Sequence, residues 1–208
     1  EVFVNTGGRV LGFDFDEAGN LIAADAVKGL LSVRPSRQID VLTNQVDGQP
    51  IRYADGVVVA RSGRMYFSDA STRFAPADWG GTFEASMLDI LEQAATGRVL
   101  AYDPATKATR VVARGLAFAN GVALSVDEKH LFVAETDKYR IWKIDVEAHD
   151  LDVAAGAGVQ ASVLLDNLPG YPDNLMRGLD GKIWAGLVKP RNPTIDRMAG
   201  KPFLRSVT

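Results

Sequence analysis

The sequence predicts an all-β protein of the β-propeller class. Three observations carry that prediction: a strand, tight turn and strand motif that occurs four times, blade-sized spacings between its copies, and further strands after them. The copies run from Leu11 to Asp25, Asp55 to Asp69, Asn120 to Ala134 and Asp173 to Leu187, with starts about 44, 65 and 53 residues apart. In each, a short alternating segment reaches a turn at Gly19, Gly63, Glu128 or Gly181 and returns as a second segment. Glycine takes positive φ without steric cost, so Glu128 is the departure from the pattern. Third and fourth strands follow at 30–33 and 39–42, at 98–102 and 109–113, and at 140–144 and 162–165. Asp103-Pro104-Ala105-Thr106 is a turn of the kind that joins two outer strands. A sandwich or barrel would also hold such strands, but it would not require the recurring motif.

The long second spacing is accounted for by an insertion at 74–96 between the second and third strands of its unit. Its second half, 84–95, places Met87, Leu88, Leu91 and Ala95 on one helical face and ends before Gly97. This helix is expected over one mouth of the central channel, as simple packing or as a substrate lid. The fourth copy continues into Pro190 and Pro193 with no outer strands in view. Residues 1–208 are therefore read as one partial propeller domain of roughly four blades, a fragment of a larger ring.

Composition narrows the function. The chain of 208 residues is 47% hydrophobic and 24% charged, with a formal net charge of -3, an ordinary globular profile. There is no basic excess and no run of five like charges, so nucleic acid and anionic membrane surfaces are not expected partners. No apolar stretch approaches the length of a membrane span. With no cysteine and two histidines, any metal must be held by oxygen ligands. The chain opens at Glu1, which leaves its compartment undecided.

Equivalent positions on innermost strands converge on a propeller axis, and here three of the four repeat starts are Asp55, Asn120 and Asp173. Short oxygen-bearing side chains around one point suit a hard cation such as Ca²⁺, which takes six to eight oxygen ligands. Asn174 is a fourth candidate ligand. Leu11 offers none, so another ligand is expected from water or from a blade outside this chain. The competing reading is that these Asp and Asn residues cap backbone amides at strand starts. His130 reads as a strand side chain and His149 as a solvated loop residue, while Glu135 reads as an ion pair with Arg140 nearby. No G-x-S-x-G elbow is present, and no catalytic residue is assigned.

Several segments together resemble the strictosidine synthase-like family: Tyr66-Phe-Ser-Asp-Ala-Ser71, Thr96-Gly-Arg-Val-Leu-Ala-Tyr-Asp-Pro104, Asn120-Gly-Val-Ala-Leu-Ser125, Val133-Ala-Glu-Thr136 and Asn167-Leu-Pro-Gly-Tyr-Pro-Asp-Asn174. The resemblance implies a six-bladed propeller, related to the regucalcin/gluconolactonase and paraoxonase groups of hydrolases, with this chain holding roughly the middle four blades. It implies that Asp55, Asn120, Asp173 and Asn174 match calcium-ligand positions of the metal-dependent relatives, although Asp55 stands where Asn is usual. A first-blade Glu ligand has no counterpart here, and the catalytic Glu of strictosidine synthase proper would lie beyond Thr208. The function implied first is calcium-dependent hydrolysis of a small lactone or ester. The alternatives are a metal-free lyase condensing an amine with an aldehyde, and a non-catalytic ligand-binding propeller. The missing blades are expected from the rest of the polypeptide.

Overall fold

The computed structural model describes residues 2–156, 158–198 and 201. The first blade is an antiparallel meander of β1 (Val10–Phe15), β2 (Leu21–Asp25), β3 (Gly29–Val33) and β4 (Ile39–Thr43), followed by a minimal hairpin, β5 (Gln45–Val46) and β6 (Gln49–Pro50). The second blade holds β7 (Ala54–Val59) and β8 (Met65–Asp69), then the inserted helix α1 (Thr82–Glu92), then β9 (Gly97–Asp103) and β10 (Ala108–Leu116). The third holds β11 (Ala119–Leu124), β12 (His130–Glu135) and β13 (Arg140–Asp145). Between β13 and the blade's last strand, β14 (Leu151–Asp152) crosses to pair in parallel with β10 of the second blade, held by Arg114 against Asp150 and Asp152, both at 2.8 Å. The last strand is β15 (Ala161–Leu165), and a pair, β16 (Gly170–Arg177) and β17 (Ile183–Pro190), precedes the short helix α2 (Pro193–Met198).

All four hairpin turns share one geometry. The N–H of Gly19, Gly63, Glu128 or Gly181 donates to the carbonyl three residues earlier, at 2.8 to 3.0 Å, and all four residues have positive φ. Glu128 accepts the left-handed conformation at φ 56, and its carboxylate reaches the preceding blade, taking the Arg61 N–H at 3.1 Å. A side chain thus earns at this turn an interblade bond that glycine cannot make.

The blades bury their apolar faces on one another. Ile22, Leu30, Phe67 and Leu100 lie in the core between the first and second blades, and Val99, Leu124, Leu131 and Ile144 between the second and third. The first strands of successive blades are spatial neighbours, β1 with β7, β7 with β11, and β11 with β16, which brings the four repeat starts around one axis. The glycine after each of the first three starts explains how close they come: a Cβ on Gly12 would sit 2.5 Å from the Asp55 carbonyl oxygen, and one on Gly121 would sit 2.3 Å from the Leu175 nitrogen. These are backbone contacts that no rotamer relieves. Gly121→Ala is therefore expected to cost about 3 kcal/mol of stability and to push β16 away from β11; chemical denaturation measures the loss, and a cost below about 1 kcal/mol would contradict the packing.

At the two ends, Phe13 and Phe15 on β1 and Met176 and Trp184 on β16 and β17 are all more than half exposed. In a propeller such faces are the ones that a neighbouring blade covers.

The insertion departs from its expected bounds. The helix begins at Thr82 and stops at Glu92, because Gln93 and Ala95 both take the left-handed conformation. Its fully buried residues are Ala85 and Asp89, and of the expected apolar row Leu88 packs against the core cluster of Tyr53, Phe74 and Phe118 while Met87 lines the cavity beneath the helix.

Candidate functional site

Asp55, Asn120 and Asp173 stand at the same place in their blades, and each interrupts strand pairing. The β7–β8 register breaks between Ala54 and Val57, β11–β12 between Ala119 and Val122, and β16–β17 between Pro172 and Leu175. A bulge there frees the side chain from the ladder's alternation and re-aims it. Ser68 fastens two of these bulges together, accepting from the Gly56 N–H at 2.9 Å and donating to the Asn120 carbonyl at 2.5 Å.

The three side chains come together. The Asn120 amide lies close enough to Asp173 to favour its ionised carboxyl, and Asp173 lies close enough to Asp55 for their charges to repel. Asp55 is 6% exposed; burial first, and then the charge of Asp173, push its carboxyl up to about 8. Burial also raises Asp173, while the Asn174 N–H and the Asn120 amide oppose that rise. Asn120 is 5% exposed, and its Oδ1 is buried with no hydrogen-bond partner among the described residues. A buried orphan oxygen beside two carboxyls that resist ionisation is an arrangement a hard cation would relieve. The described residues supply three such side chains and no cluster of three acidic or histidine ligands, so the rest of a coordination shell would come from water, substrate or other blades.

Asn174 does not join them. It follows Asp173 on the strand, in the position that glycine fills in the other three copies, and it is exposed in a different recess, with Gly56, Gly121 and Trp184. Both residues lie in the bulge between Pro172 and Leu175, which aims Asp173 into the cavity with Asn120 and leaves Asn174 in the other recess. Leu11 offers no oxygen, as expected. His130 lies on β12 opposite Asp145, and His149 is exposed, so neither belongs to the site. Glu135 is paired with Arg140 at 2.5 Å.

Above Asn120 and Asp173 opens a cavity of about 290 Å³. Phe83, Met87 and Ile90 of α1 form one wall, and Tyr171, Val188 and Ile195 form the other. Lys189 spans the walls, its Nζ 5.5 Å from the centre of the Phe83 ring. The inserted helix thus roofs a mostly apolar chamber with a carboxylate and an amide in its floor.

One feature of the roof was not visible in the sequence. Asp89, on the inward face of α1, meets Asp137 in the 3-10 turn at Thr136–Lys138, and both are 2% exposed. Burial is the main cause that drives Asp89 up to about 6 and Asp137 well above the usual carboxylate range. A protonated Asp137 can donate to Asp89, so one proton joins the helix to the third blade. Arg73 with Glu92 at 2.8 Å and Lys138 with Gln93 at 3.3 Å add ties at the helix end. A raised folded value means that the contribution is full below about pH 4 and is lost as pH rises through about 6 for Asp89. Asp89→Asn removes that loss, and its stability relative to the parent should grow by ~2–3 kcal/mol between pH 4 and pH 8. Parallel pH profiles for the two proteins in thermal unfolding would refute the shared proton.

The strictosidine synthase family profile matches residues 55–148. Strictosidine synthase-like protein 6 of Arabidopsis thaliana is 38% identical over 210 residues, which is all of this chain and 52% of that protein. The adipocyte plasma membrane-associated protein of Mus musculus is 32% identical over 209 residues, 96% of this chain and 47% of that protein. This chain spans about half the length of the curated relatives it matches. Among solved structures, a gluconolactonase from Xanthomonas campestris superposes with a TM-score of 0.69 at 19% identity, covering 90% of this chain and 59% of that one. The calcium-binding protein regucalcin from Agrobacterium tumefaciens gives 0.56 at 12% identity, covering 84% and 52%. The fold is that of these propellers, and this chain covers a little over half of each.

Proposed function

Because this chain is related to the strictosidine synthase-like proteins along its whole length, and shares the fold of gluconolactonase and regucalcin propellers, we propose that it carries the metal-binding floor of a calcium-dependent hydrolase of lactones or esters. The observation that supports this reading most is the convergence of Asp55, Asn120 and Asp173, of which Asn120 and Asp173 open onto the floor of a roofed, mostly apolar cavity. Asp55, Asn120 and Asp173 would hold the ion. Calcium bound there supplies a Lewis acid for the carbonyl oxygen of a lactone or ester. Asp173 would place negative charge at the floor of a chamber where water is scarce and charge interactions are strong, and Asp55 would add a second charge on losing its proton to the ion. Asn120 orients Asp173 through its amide and leaves Oδ1 for the site. The walls from α1 and from the β17–α2 segment take the apolar part of the substrate and keep bulk water from the reacting bond.

The test is hydrolysis of phenyl acetate and of a simple δ-lactone by the full-length protein, before and after chelation. Loss of hydrolysis on chelation and its return with added calcium is the expected result. Hydrolysis indifferent to chelator, or none at all, would sink the reading. Condensation of an amine with an aldehyde, indifferent to chelator, would put the lyase alternative in its place.

A further inference from the structure

Three carboxylates recur at one structural position that lies outside the candidate site. Asp25, Asp69 and Glu135 end the second strands of the first three blades and are 0%, 0% and 1% exposed. In the strand registers they stand opposite Val10, Ala54 and Ala119, each the residue immediately before a repeat start.

Each divides its two oxygens in the same way. One takes backbone N–H groups of the segment leading into the innermost strand: Arg9 onto Asp25 at 3.0 Å, Arg52 and Tyr53 onto Asp69 at 3.1 and 2.8 Å, and Ala117 onto Glu135 at 2.9 Å. The other is anchored by a side-chain donor: Thr6 to Asp25 at 2.8 Å, Arg98 to Asp69 at 2.9 Å, and Arg140 and Trp142 to Glu135 at 2.5 and 2.6 Å. A charged acceptor with both oxygens occupied is a stiff strut, and an amide bond to it is stronger than one to a neutral group. The fourth blade lacks the strut. Leu187 stands opposite Pro172, and the strand is held from the third blade, where the Thr136 hydroxyl donates to the Pro172 carbonyl at 2.7 Å. Glu135 and Thr136, adjacent in sequence, therefore hold the approaches to both Asn120 and Asp173.

We propose that Asp69, and Glu135 with its neighbour Thr136, are positioning residues that set Asp55, Asn120 and Asp173 for a divalent cation. The proposal rests on the calcium reading above. The first blade supplies an internal control, because its strut, Asp25, fixes a strand whose repeat start is Leu11 and which brings no ligand to the site.

The experiment is calcium titration calorimetry on the full-length protein and on Asp69→Asn, Glu135→Gln and Asp25→Asn, with thermal unfolding of each. Asp69→Asn and Glu135→Gln should lower calcium affinity by about 10- to 100-fold, the usual effect of losing a group that orients a ligand. Asp25→Asn should lower the unfolding midpoint to a similar degree while changing affinity by less than about threefold. Equal losses of affinity in all three variants, or unchanged affinity in the first two, would overturn the proposal. If a strut variant does not fold, Thr136→Val carries the test, removing one hydroxyl and weakening calcium binding by about tenfold with little change in stability. Hydrogen exchange without metal separates this inference from the calcium reading: the amides of Tyr53 in Asp69→Asn and Ala117 in Glu135→Gln should lose protection. If the parent binds no calcium, that exchange still decides whether the struts hold the inner strands, and unchanged protection overturns the proposal.

Discussion

Asp173→Ala is expected to weaken calcium binding by at least about a hundredfold and to abolish chelator-sensitive hydrolysis, while His130→Ala leaves both nearly unchanged. Asp173 is the carboxylate that opens onto the cavity and the partner of the Asn120 amide, so its loss removes a charge and also releases a second ligand. Asn120 offers only a dipole and Asp55 would remain as the single carboxylate, too little for a hard divalent ion in competition with water. The variant should still fold. With the Asp173 charge gone, Asp55 loses one of the two causes that raise it, and the metal-free protein is relieved of a repulsion. Calorimetry for affinity and initial rates for hydrolysis provide the comparison. Full metal-dependent activity in Asp173→Ala would end the calcium-hydrolase reading.

Calcium affinity should also climb steeply with pH. Asp55 is pushed up to about 8 in the folded protein from an ordinary 3.8, and the ion requires its ionised form. Binding at neutral pH must therefore expel the Asp55 proton, and affinity should rise by up to about tenfold per pH unit until about pH 8, then level off. The stability of the metal-free protein should show the reverse trend. With a folded value above the unfolded one, the contribution of Asp55 to stability is full below about pH 4 and is lost as pH rises through about 8. Added calcium should accordingly raise the unfolding midpoint little at pH 5 and most at pH 8 and above. Asp55→Asn should flatten the dependence on pH and weaken binding. An affinity that stays constant from pH 5 to pH 8 in the parent would mean that Asp55 does not contact the ion.

The propeller was legible because its determinants are local and repeated. Alternating strands and turn residues at matching offsets recur in phase, and together they mark Asp55, Asn120 and Asp173 as equivalents from spacing alone. The struts were half visible, since Asp25 and Asp69 close their copies of the motif, but Glu135 falls one residue later, past a copy read as ending at Ala134. Asn174 carries an oxygen beside Asp173 in the sequence, but the bulge between Pro172 and Leu175, which decides where each side chain points, leaves it in a different recess.

Strand order, turn positions and the polar repeat starts follow from the chain itself, because each depends on residues a few positions apart and on the conformations those residues tolerate. Which carboxyls resist ionisation, which helix face turns inward, and which strand the 151–152 segment joins depend on groups far apart in sequence. Asp89 reads as an ordinary polar helix residue until the fold brings Asp137 against it and excludes water from both. Asp55 likewise becomes a proton-binding group because the fold buries it and then sets Asp173, more than a hundred residues later, beside it. Burial and through-space charge are properties of the assembled neighbourhood, and a linear pattern of residues does not contain them.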